Sequence, residues 1–585
     1  MKKILISLST LLLSQLSPMT ASASEKKVTV VYTTDVHGNF FPYNFITLSP
    51  GEGSLARVAT ALDSLRAANP GGVITLDNGD ILQGQPTVYY YNFIDTVSPH
   101  IVPEIYRFLD YDVATIGNHD VETGHAVYDR VRAEMTIPWL GANVIDTATG
   151  QPYLKPYTVI ERKGKKIAIL GLLTPAIPSW LPETLWEGLR FDDMVTTAQH
   201  WIPIIREREN PDAIIGLFHS GHDASKTTGE TIENASILVA SKVDGFDAVL
   251  MGHDHQLFTD TVVSPSGRIV PVINPANNAK AIGVIDFVFD ENTDGSDSLT
   301  VVPRIIDVTL VEPSPAFTDR FADRLLAVSD FVNRQLGTVT DTITTRDSFF
   351  GPSAFMTLLH DLQLEISGAD ISFAAPLSFD GTIAAGPLRV ADMFTLYKYQ
   401  NILYTLRMTG REIKDYLEMA YDLWTTQATD PATSQLIRFA SGNPTPSDNR
   451  LKNPSYNFDS AAGINYTVDI TKPRGEKINI TTLSDGHPFD LDETYTVAVN
   501  SYRANGGGDL LTLGAGIPAS ELKERIVGAT DKDLRYYLIK AVENRRTVQP
   551  HIDRNWQFVP VNIANEAGNR SRSLLFGPDA SRNQK

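Results

Sequence analysis

Six segments in the first half of the chain share one design: an apolar, β-branched run that ends at once in a polar, mostly glycine-bearing tip. They read KKVTVVYTTD (26–35), GGVITLDNGD (71–80), DVATIGNHD (112–120), KKIAILGLLTP (165–175), PDAIIGLFHSGH (211–222) and FDAVLMGHDH (246–255). Short apolar runs bounded by turn residues fit buried strands. Stretches between them, such as GSLARVATALDSLRAA (53–68), repeat Leu, Val and Ala at helical spacing. Alternating strands and helices constrain residues 25–312 to a layered α/β domain, the architecture that collects ligands at strand ends.

A chain of 585 residues exceeds what one ordinary core organises, so two or more domains are expected. Residues 313–337 fit a single linker helix, with a polar start at Thr318 and Asp319, apolar residues three and four apart, and Gly337 as the stop. Residues 338–562 mix helix candidates (SAFMTLLHDLQLEIS, GREIKDYLEMAYDLW) with strand candidates (ADISFAAPL, NILYTLRMT, TYTVAVNSYR), which suits an α+β domain. Residues 563–585 are polar and read as a frayed tail. Residues 1–23 fit a secretory signal: Lys2 and Lys3, then ILISLSTLLL, then small residues to Ala23. That apolar run is too short to span a bilayer comfortably, and no later segment approaches a membrane span. An exported protein, periplasmic or extracellular, is the expectation.

Removing residues 1–23 leaves 48 Lys+Arg against 69 Asp+Glu, a formal charge of −21. Such a surface argues against a nucleic-acid polymer as partner, because neutralising phosphates takes lysine and arginine. A small anionic substrate is still compatible, since metal cations can dominate the field inside one cleft. The chain has no cysteine, which rules out thiolate chemistry and Cys-ligated zinc.

The chemistry gathers at the strand tips: Asp35-x-His37, Gly79-Asp80, Gly117-Asn118-His119-Asp120, His219-x-x-His222 and Gly252-His253-x-His255. Each tip alone is weak, because a lone buried histidine is more often a hydrogen-bonded structural group than a ligand. Together they hold six of the 12 histidines, along with carboxylates and an amide. These are ligand types for divalent transition metals. The set divides into two four-ligand sites if one carboxylate is shared, and Asp80 is the natural bridge. Ligands of this kind without sulfur suit zinc, manganese, iron or cobalt alike.

In this order the tips resemble the calcineurin-like metallophosphoesterases, and the whole mature chain resembles their exported 5′-nucleotidase subfamily. The resemblance implies a β-sandwich flanked by helices that carries two divalent metal ions, then a helix, then a nucleoside-binding domain of 5′-nucleotidase type. Carried over tip by tip, it implies that Asp35, His37, Asp80 and His255 bind one metal, and Asp80, Asn118, His219 and His253 the other. His119 would act on the transferring phosphoryl group or the leaving oxygen. In some relatives an aspartate three residues on orients that histidine, whereas here the position is Glu122. Asp120 reads as a loop acid. The helix at 313–337 would be the hinge for a rotation between domains.

For the second domain the resemblance implies a base stacked between two aromatic rings, an arrangement that tolerates any base. Tyr456 and Tyr502 correspond, although spacing from Gly463 admits Phe458 in place of Tyr456. Tyr466 and Tyr495 alternate within strand-like runs and read as core. Arg503, Asn505, Gly506 and Gly507 follow Tyr502 as substrate-binding candidates, the glycines allowing close backbone approach. Members specific for 5′-nucleotides carry a Gly-Gly-x-Arg segment, but the corresponding place here is ADISFAAPLSFDGTI (369–383), without arginine. ISFAAPLS, YNFD and NSYRANGG resemble instead the 2′,3′-cyclic-nucleotide 2′-phosphodiesterase and 3′-nucleotidase branch. That implies salvage of nucleotides outside the cytoplasm. The competing readings are a 5′-nucleotidase or UDP-sugar hydrolase on the same scaffold, and a non-catalytic nucleotide-binding surface protein.

Overall fold

The computed structural model describes residues 24–225, 227–228, 231–291, 298–430, 432–440 and 450–577, so the signal-peptide reading of 1–23 lies outside the described residues. Twelve strands of the first half build two sheets. They are β1 (Ser24–Thr33), β2 (Val73–Asp77), β3 (Val113–Thr115), β4 (Trp139–Leu140), β5 (Tyr157–Arg162), β6 (Lys165–Leu173), β7 (Ala213–His219), β8 (Ala248–Met251), β9 (Leu257–Val263), β10 (Ile269–Pro275), β11 (Ala281–Glu291) and β12 (Ser298–Asp307). The first sheet runs β12-β11-β1-β2-β3-β4 and the second β9-β10-β8-β7-β6-β5. Strands β1 to β4 are parallel, as are β6, β7, β8 and β10.

The alternation of side chains along each strand decides the layering. Val28, Val30 and Tyr32 of β1 meet Ile74, Leu76, Ile167, Ile169, Ile215 and Leu217 in a core between the sheets. The intervening residues face helices: Val31 and Ala114 join Leu55–Ala68 and Ile101–Phe108 on one side. Ala168, Leu170, Ile214 and Val249 join Met194–Glu209 and Ser236–Lys242 on the other. The central strands are therefore buried on both faces, which is why they read as continuous apolar runs. Parallel neighbours end on a common edge, so the sequence tips converge there.

In the second half a five-stranded sheet runs Ser460–Ala462, Ile371–Ala374, Thr494–Asn500, Ile402–Thr409, Ile526–Asp533. The helices Ala354–Ser367 and Gly410–Trp424 pack against it. Thr409 caps the latter, accepting from the Glu412 N–H, while the Glu412 carboxylate accepts from the Thr409 N–H. That reciprocal pair is the capping box signalled by T-G-R-E.

Two expectations need correction. The segment 313–337 is not one helix: it breaks at Phe321 into Pro315–Arg320 and Ala322–Asn333, and Gln335–Val339 is a strand. Gly337 is needed there for close approach rather than as a stop, because a Cβ on it would lie 2.5 Å from the Arg546 carbonyl oxygen. Nor do residues 563–576 fray, since Val561–Phe576 form a helix with Ala564, Ala567, Gly568, Ser571 and Leu575 buried, while 578–585 lie outside the described residues. Ser571 Oγ accepts the N–H groups of Leu436 (2.9 Å) and Ile437 (3.2 Å). The seam of small residues at helical spacing is hidden by the polar composition around it. Among the described residues no helix is long and apolar enough to cross a membrane.

Two histidines away from the strand tips are buried as neutral rings. His100 Nδ1 accepts the Val102 N–H (3.2 Å) and its Nε2 lies 3.0 Å from Asn92 Oδ1, which fixes one tautomer. Burial, with Arg130 and Arg324 adding, holds its pKa down at about 3. His360 sits between the hydroxyls of Ser372 (3.0 Å) and Ser460 (3.1 Å), and burial lowers it likewise to about 3. The unfolded chain protonates such rings near 6.5 and the folded one does not, so stability is complete above pH 6.5 and declines as the pH falls towards 3. Each ring contributes up to about 1.4 kcal/mol per pH unit in that window. Urea unfolding at pH 7 and pH 5 should show the loss, and His100→Gln should flatten it; an unchanged slope in that variant would refute the assignment.

Candidate metal centre

The ligand candidates stand on strained backbone at the strand tips. Asp35 (φ 51°), His37 (49°), Asp80 (57°), His253 (72°) and His255 (57°) all adopt the left-handed conformation that non-glycine residues avoid. Such strain persists where surrounding contacts over-determine it, and it clusters at functional sites. Glycines let the tips close on one another: a Cβ at Gly117 would lie 2.2 Å from Asp80 Oδ1, and one at Gly252 would lie 2.1 Å from Thr34 Oγ1.

Two groups of ligand atoms form, each within 4.8 Å: Asp35, His37 and His255, and Asp80, His219 and His253. Asp35 Oδ1 lies 3.3 Å from His255 Nε2 and 4.0 Å from the Nε2 atoms of both His37 and His219, so the groups abut. Its other oxygen is occupied by the Thr34 hydroxyl (2.5 Å) and the His253 N–H (3.0 Å). Asn118 belongs to the second group, its Oδ1 lying 2.8 Å from His253 Nδ1 and 3.0 Å from His219 Nε2. His222 joins neither group. It bonds Asp254 (2.5 Å) and stacks on Phe258.

The proton positions show why these atoms suit cations. His219 Nδ1 is 2.6 Å from the Asn78 carbonyl and His37 Nδ1 is 3.0 Å from that of Gln83. Each Nδ1–H thus donates to a carbonyl, so the Nε2 of the neutral ring aims its lone pair inward. At His219 burial opposes charge, but Asp80 and Asp35 lift the ring to about 10, so a proton holds the place a cation would take. His37 Nε2 then faces His255 Nε2 at 3.0 Å, while His219 Nε2 faces Asp80 Oδ2 at 3.2 Å. Asp80 Oδ2 is buried without an aligned hydrogen-bond donor. Nitrogen and oxygen ligand atoms converging around a buried carboxylate oxygen without an aligned donor fit divalent metal ions. The electrostatics match: burial alone would raise the Asp35 carboxyl, yet His219 and His255 outweigh it and hold it at about 2.

His119 lies second in the short helix Asn118–Val121 and sits beside this cluster, its ring 5.4 Å from that of His37. Its N–H donates to Asp80 Oδ1 (2.8 Å) and its Nδ1 lies 2.5 Å from Glu122 Oε2. Burial opposes charge on this ring, but Asp80 and Glu122 prevail and lift it to about 9. The longer side chain at 122 therefore reaches the histidine. Asp120, read from sequence as a loop acid, has a different part. It is fully buried, and its carboxylate accepts the N–H groups of Gly117 (2.8 Å), Asp80 (3.0 Å), Ile81 (3.0 Å) and Leu82 (2.9 Å). It ties the tip of β2 to that of β3, a role invisible until residues forty apart are brought together.

The second domain presents Tyr456 and Tyr502, both half-buried, with rings 6.1 Å apart but nearly perpendicular at 85°. A base between two parallel rings needs them about 7 Å apart, so one ring must turn to open a slot. Phe458, the alternative to Tyr456, is buried and stacked on Trp424, 5.5 Å away at 2°. Tyr466 and Tyr495 are core residues as expected. Arg503 departs from expectation as a ligand-contacting residue. Its guanidinium is 3% exposed and pairs with both oxygens of Asp459 (3.2 and 3.1 Å). It also donates to the carbonyls of Tyr456 (2.7 Å) and Gly507 (2.6 Å) and to Asn457 Oδ1 (3.1 Å). Arg503 clasps the two tyrosine loops together from behind. Asn505 Nδ2 caps Ser501 O (2.7 Å), and Gly506 takes a left-handed turn (φ 99°). Gly507 lies under the Tyr502 ring, where a Cβ would come within 2.5 Å of it.

Two residues near the metal cluster carried no sequence signal. Trp180 stacks on His253 (5.5 Å, 29°), and Glu233 Oε1 is 3.0 Å from His253 Nε2. Their partners lie 73 and 20 residues away, and neither stands in a motif.

Residues 28–257 match the calcineurin-like phosphoesterases, and residues 335–514 match the 5′-nucleotidase C-terminal domain. The chain is 28% identical over 93% of its length to the trifunctional nucleotide phosphoesterase protein YfkN of Bacillus subtilis, and the match spans 40% of that protein. It is 26% identical to the 2′,3′-cyclic-nucleotide 2′-phosphodiesterase/3′-nucleotidase of Yersinia enterocolitica, across 94% of this chain and 90% of that protein. In fold it is similar to a Staphylococcus aureus protein assigned as a 5′-nucleotidase and crystallised with α-ketoglutarate. There the TM-score is 0.76 at 20% identity, covering 91% of this chain and all of that one.

Proposed function

The chain belongs to the calcineurin-like phosphoesterases that carry a 5′-nucleotidase C-terminal domain, and from that premise we propose that it hydrolyses 2′,3′-cyclic nucleotides and 3′-nucleotides. It is a metal-dependent phosphoric-ester hydrolase. The observation that carries the reading is the gathering of two groups of ligand atoms at the common strand edge, around a buried Asp80 Oδ2 that has no aligned hydrogen-bond donor.

Asp35, His37, Asp80 and His255 would hold one divalent cation, and Asp80, Asn118, His219 and His253 a second; zinc, manganese, iron and cobalt all suit this donor set. Two such ions supply Lewis-acid stabilisation of the charge on the phosphoryl oxygens and lower the pKa of water. The protein's own part begins with Asp80, which fixes the His119 N–H and so the placement of that ring. His119 delivers a proton, or a hydrogen bond, to the leaving oxygen, and Glu122 holds its Nδ1 so that Nε2 is the free edge. Ser220 stands at the β7 tip, but its hydroxyl is committed to the Glu233 carbonyl and the Ala235 N–H, and the chain has no cysteine, so hydrolysis without a covalent phospho-enzyme is the consistent route. Tyr456 and Tyr502 would take the base, held in register by Arg503, with Asn505, Gly506 and Gly507 lining the approach.

The choice of branch rests on the 369–383 segment, which lacks an arginine, and on similarity to the Yersinia enterocolitica enzyme. In the structure Ser455 Oγ donates to the Pro376 carbonyl (3.2 Å), so this segment abuts the Tyr456 loop. Location outside the cytoplasm, with a role in nucleotide salvage, is part of the same proposal and rests on the composition of residues 1–23. The test is turnover of 2′,3′-cyclic AMP, 3′-AMP, 5′-AMP and bis(p-nitrophenyl) phosphate by metal-stripped protein given zinc, manganese or cobalt. Cyclic and 3′ substrates should dominate, whereas dominant 5′-AMP turnover would move the protein to the 5′-nucleotidase reading.

A further inference from the structure

We propose that Glu233 is a positioning residue for the metal site containing Asn118, His219 and His253, acting through the tautomer of His253; this rests on the metal-centre reading above. The His253 ring is gripped from several directions. Trp180 stacks on it at 5.5 Å, the His219 ring meets it edge-on at 5.5 Å, and its Nδ1 lies 2.8 Å from Asn118 Oδ1. The remaining ring nitrogen, Nε2, lies 3.0 Å from Glu233 Oε1. A carboxylate only accepts, so Nε2 carries the proton and Nδ1 presents a lone pair. That lone pair then faces the carbonyl-type oxygen of Asn118, itself an acceptor, at a distance only a bridging cation or a second proton accommodates. Carboxylate–imidazole–metal arrangements of this kind fix ring orientation and raise ligand basicity.

The backbone around Glu233 is built to hold it there. Its carbonyl accepts the hydroxyls of Thr174 (2.9 Å), just past β6, and of Ser220 (2.8 Å), the residue after His219. Ser220 Oγ also accepts the Ala235 N–H (2.8 Å), and Asn234 Oδ1 accepts the Gly221 N–H (3.2 Å). The segment that delivers the carboxylate is thus stitched to the two strand ends nearest His219, so its position follows from the same edge as the ligands. His37 and His219, by contrast, give their outer nitrogens to backbone carbonyls, so His253 is a ligand candidate whose tautomer depends on a replaceable side chain.

The test is manganese binding by calorimetry to metal-stripped full-length protein, in the wild type, Glu233→Ala and Glu233→Gln. Wild type should bind two ions. Glu233→Ala should lose about 10–100-fold in affinity for one of them and keep the other. Glu233→Gln, whose amide oxygen still accepts from Nε2–H, should recover part of the loss. The melting temperature of the metal-free variants should equal that of the wild type, which separates positioning from a general structural role. Equal affinity of Glu233→Ala for both ions would overturn the inference, as would equal weakening at both. Absence of manganese binding by the wild type would instead overturn the metal-centre reading.

Discussion

Replacing Asp80 by alanine should lower kcat/KM by at least about 10³-fold, the equivalent of about 4 kcal/mol of transition-state stabilisation. Three effects act together at this residue. The carboxylate belongs to the group with His219 and His253, which loses charge and a donor atom, and under the proposed bridging role the Asp35 group would lose one too. Asp80 Oδ1 also accepts the His119 N–H, so the proton donor's backbone is released. Finally, His219 loses the buried negative charge 3.2 Å from its Nε2. Asp80→Asn keeps volume and an acceptor for His119 but not the charge, and should recover little activity. Kinetics on 2′,3′-cyclic AMP with elemental analysis of bound metal would decide it: full metal content and undiminished kcat/KM in both variants would end the dimetal assignment.

Arg503→Ala should destabilise the second domain by about 3–5 kcal/mol, the cost of leaving a buried charge without its partner. Asp459 is 3% exposed and, among the described residues, would keep the Tyr416 hydroxyl as its donor. The carbonyls of Tyr456 and Gly507 would lose the guanidinium that joins their loops, so KM for nucleotides should also rise. Lysine restores the charge but not the planar fork of five donors, so Arg503→Lys should remain well below wild type. Urea unfolding and nucleotide KM check this. A stability change under about 1 kcal/mol, with KM unmoved, would show that the clasp is dispensable. The result matters because the family resemblance placed Arg503 among the ligand contacts, whereas its burial makes it a support for the two tyrosines.

The site candidates that the structure brings to one edge are those whose signal in the sequence is local. Asp35, His37, Asp80, Asn118, His119, His219, His253 and His255 each sit at the end of an apolar run, and the geometry of parallel strands then gathers them at one edge. Glu122 is three residues from His119 on a helical turn, close enough for the sequence to raise the contact and for the structure to show it. Helices 354–367 and 410–424 were legible from periodicity and, for the second, from its capping box. The 561–576 helix was not, because its buried stripe is made of Ala, Gly and Ser, which composition scores as neutral or polar. The break at Phe321 was missed because both halves keep helical spacing across it.

By itself the sequence determined the layered α/β plan, the identity and order of the metal-ligand types, and the two-domain division, because strand length, periodicity and tip chemistry are short-range properties. Tertiary structure alone decided the parts of Asp120, Arg503 and Glu233. Each is a buried or half-buried charge whose decisive partners lie 20 to 47 positions away, where no spacing rule connects them. It also decided the left-handed backbone at five ligand positions and the perpendicular setting of Tyr456 and Tyr502. Both depend on how separate loops crowd one another once packed, and crowding is a property of the assembled edge rather than of any segment in it.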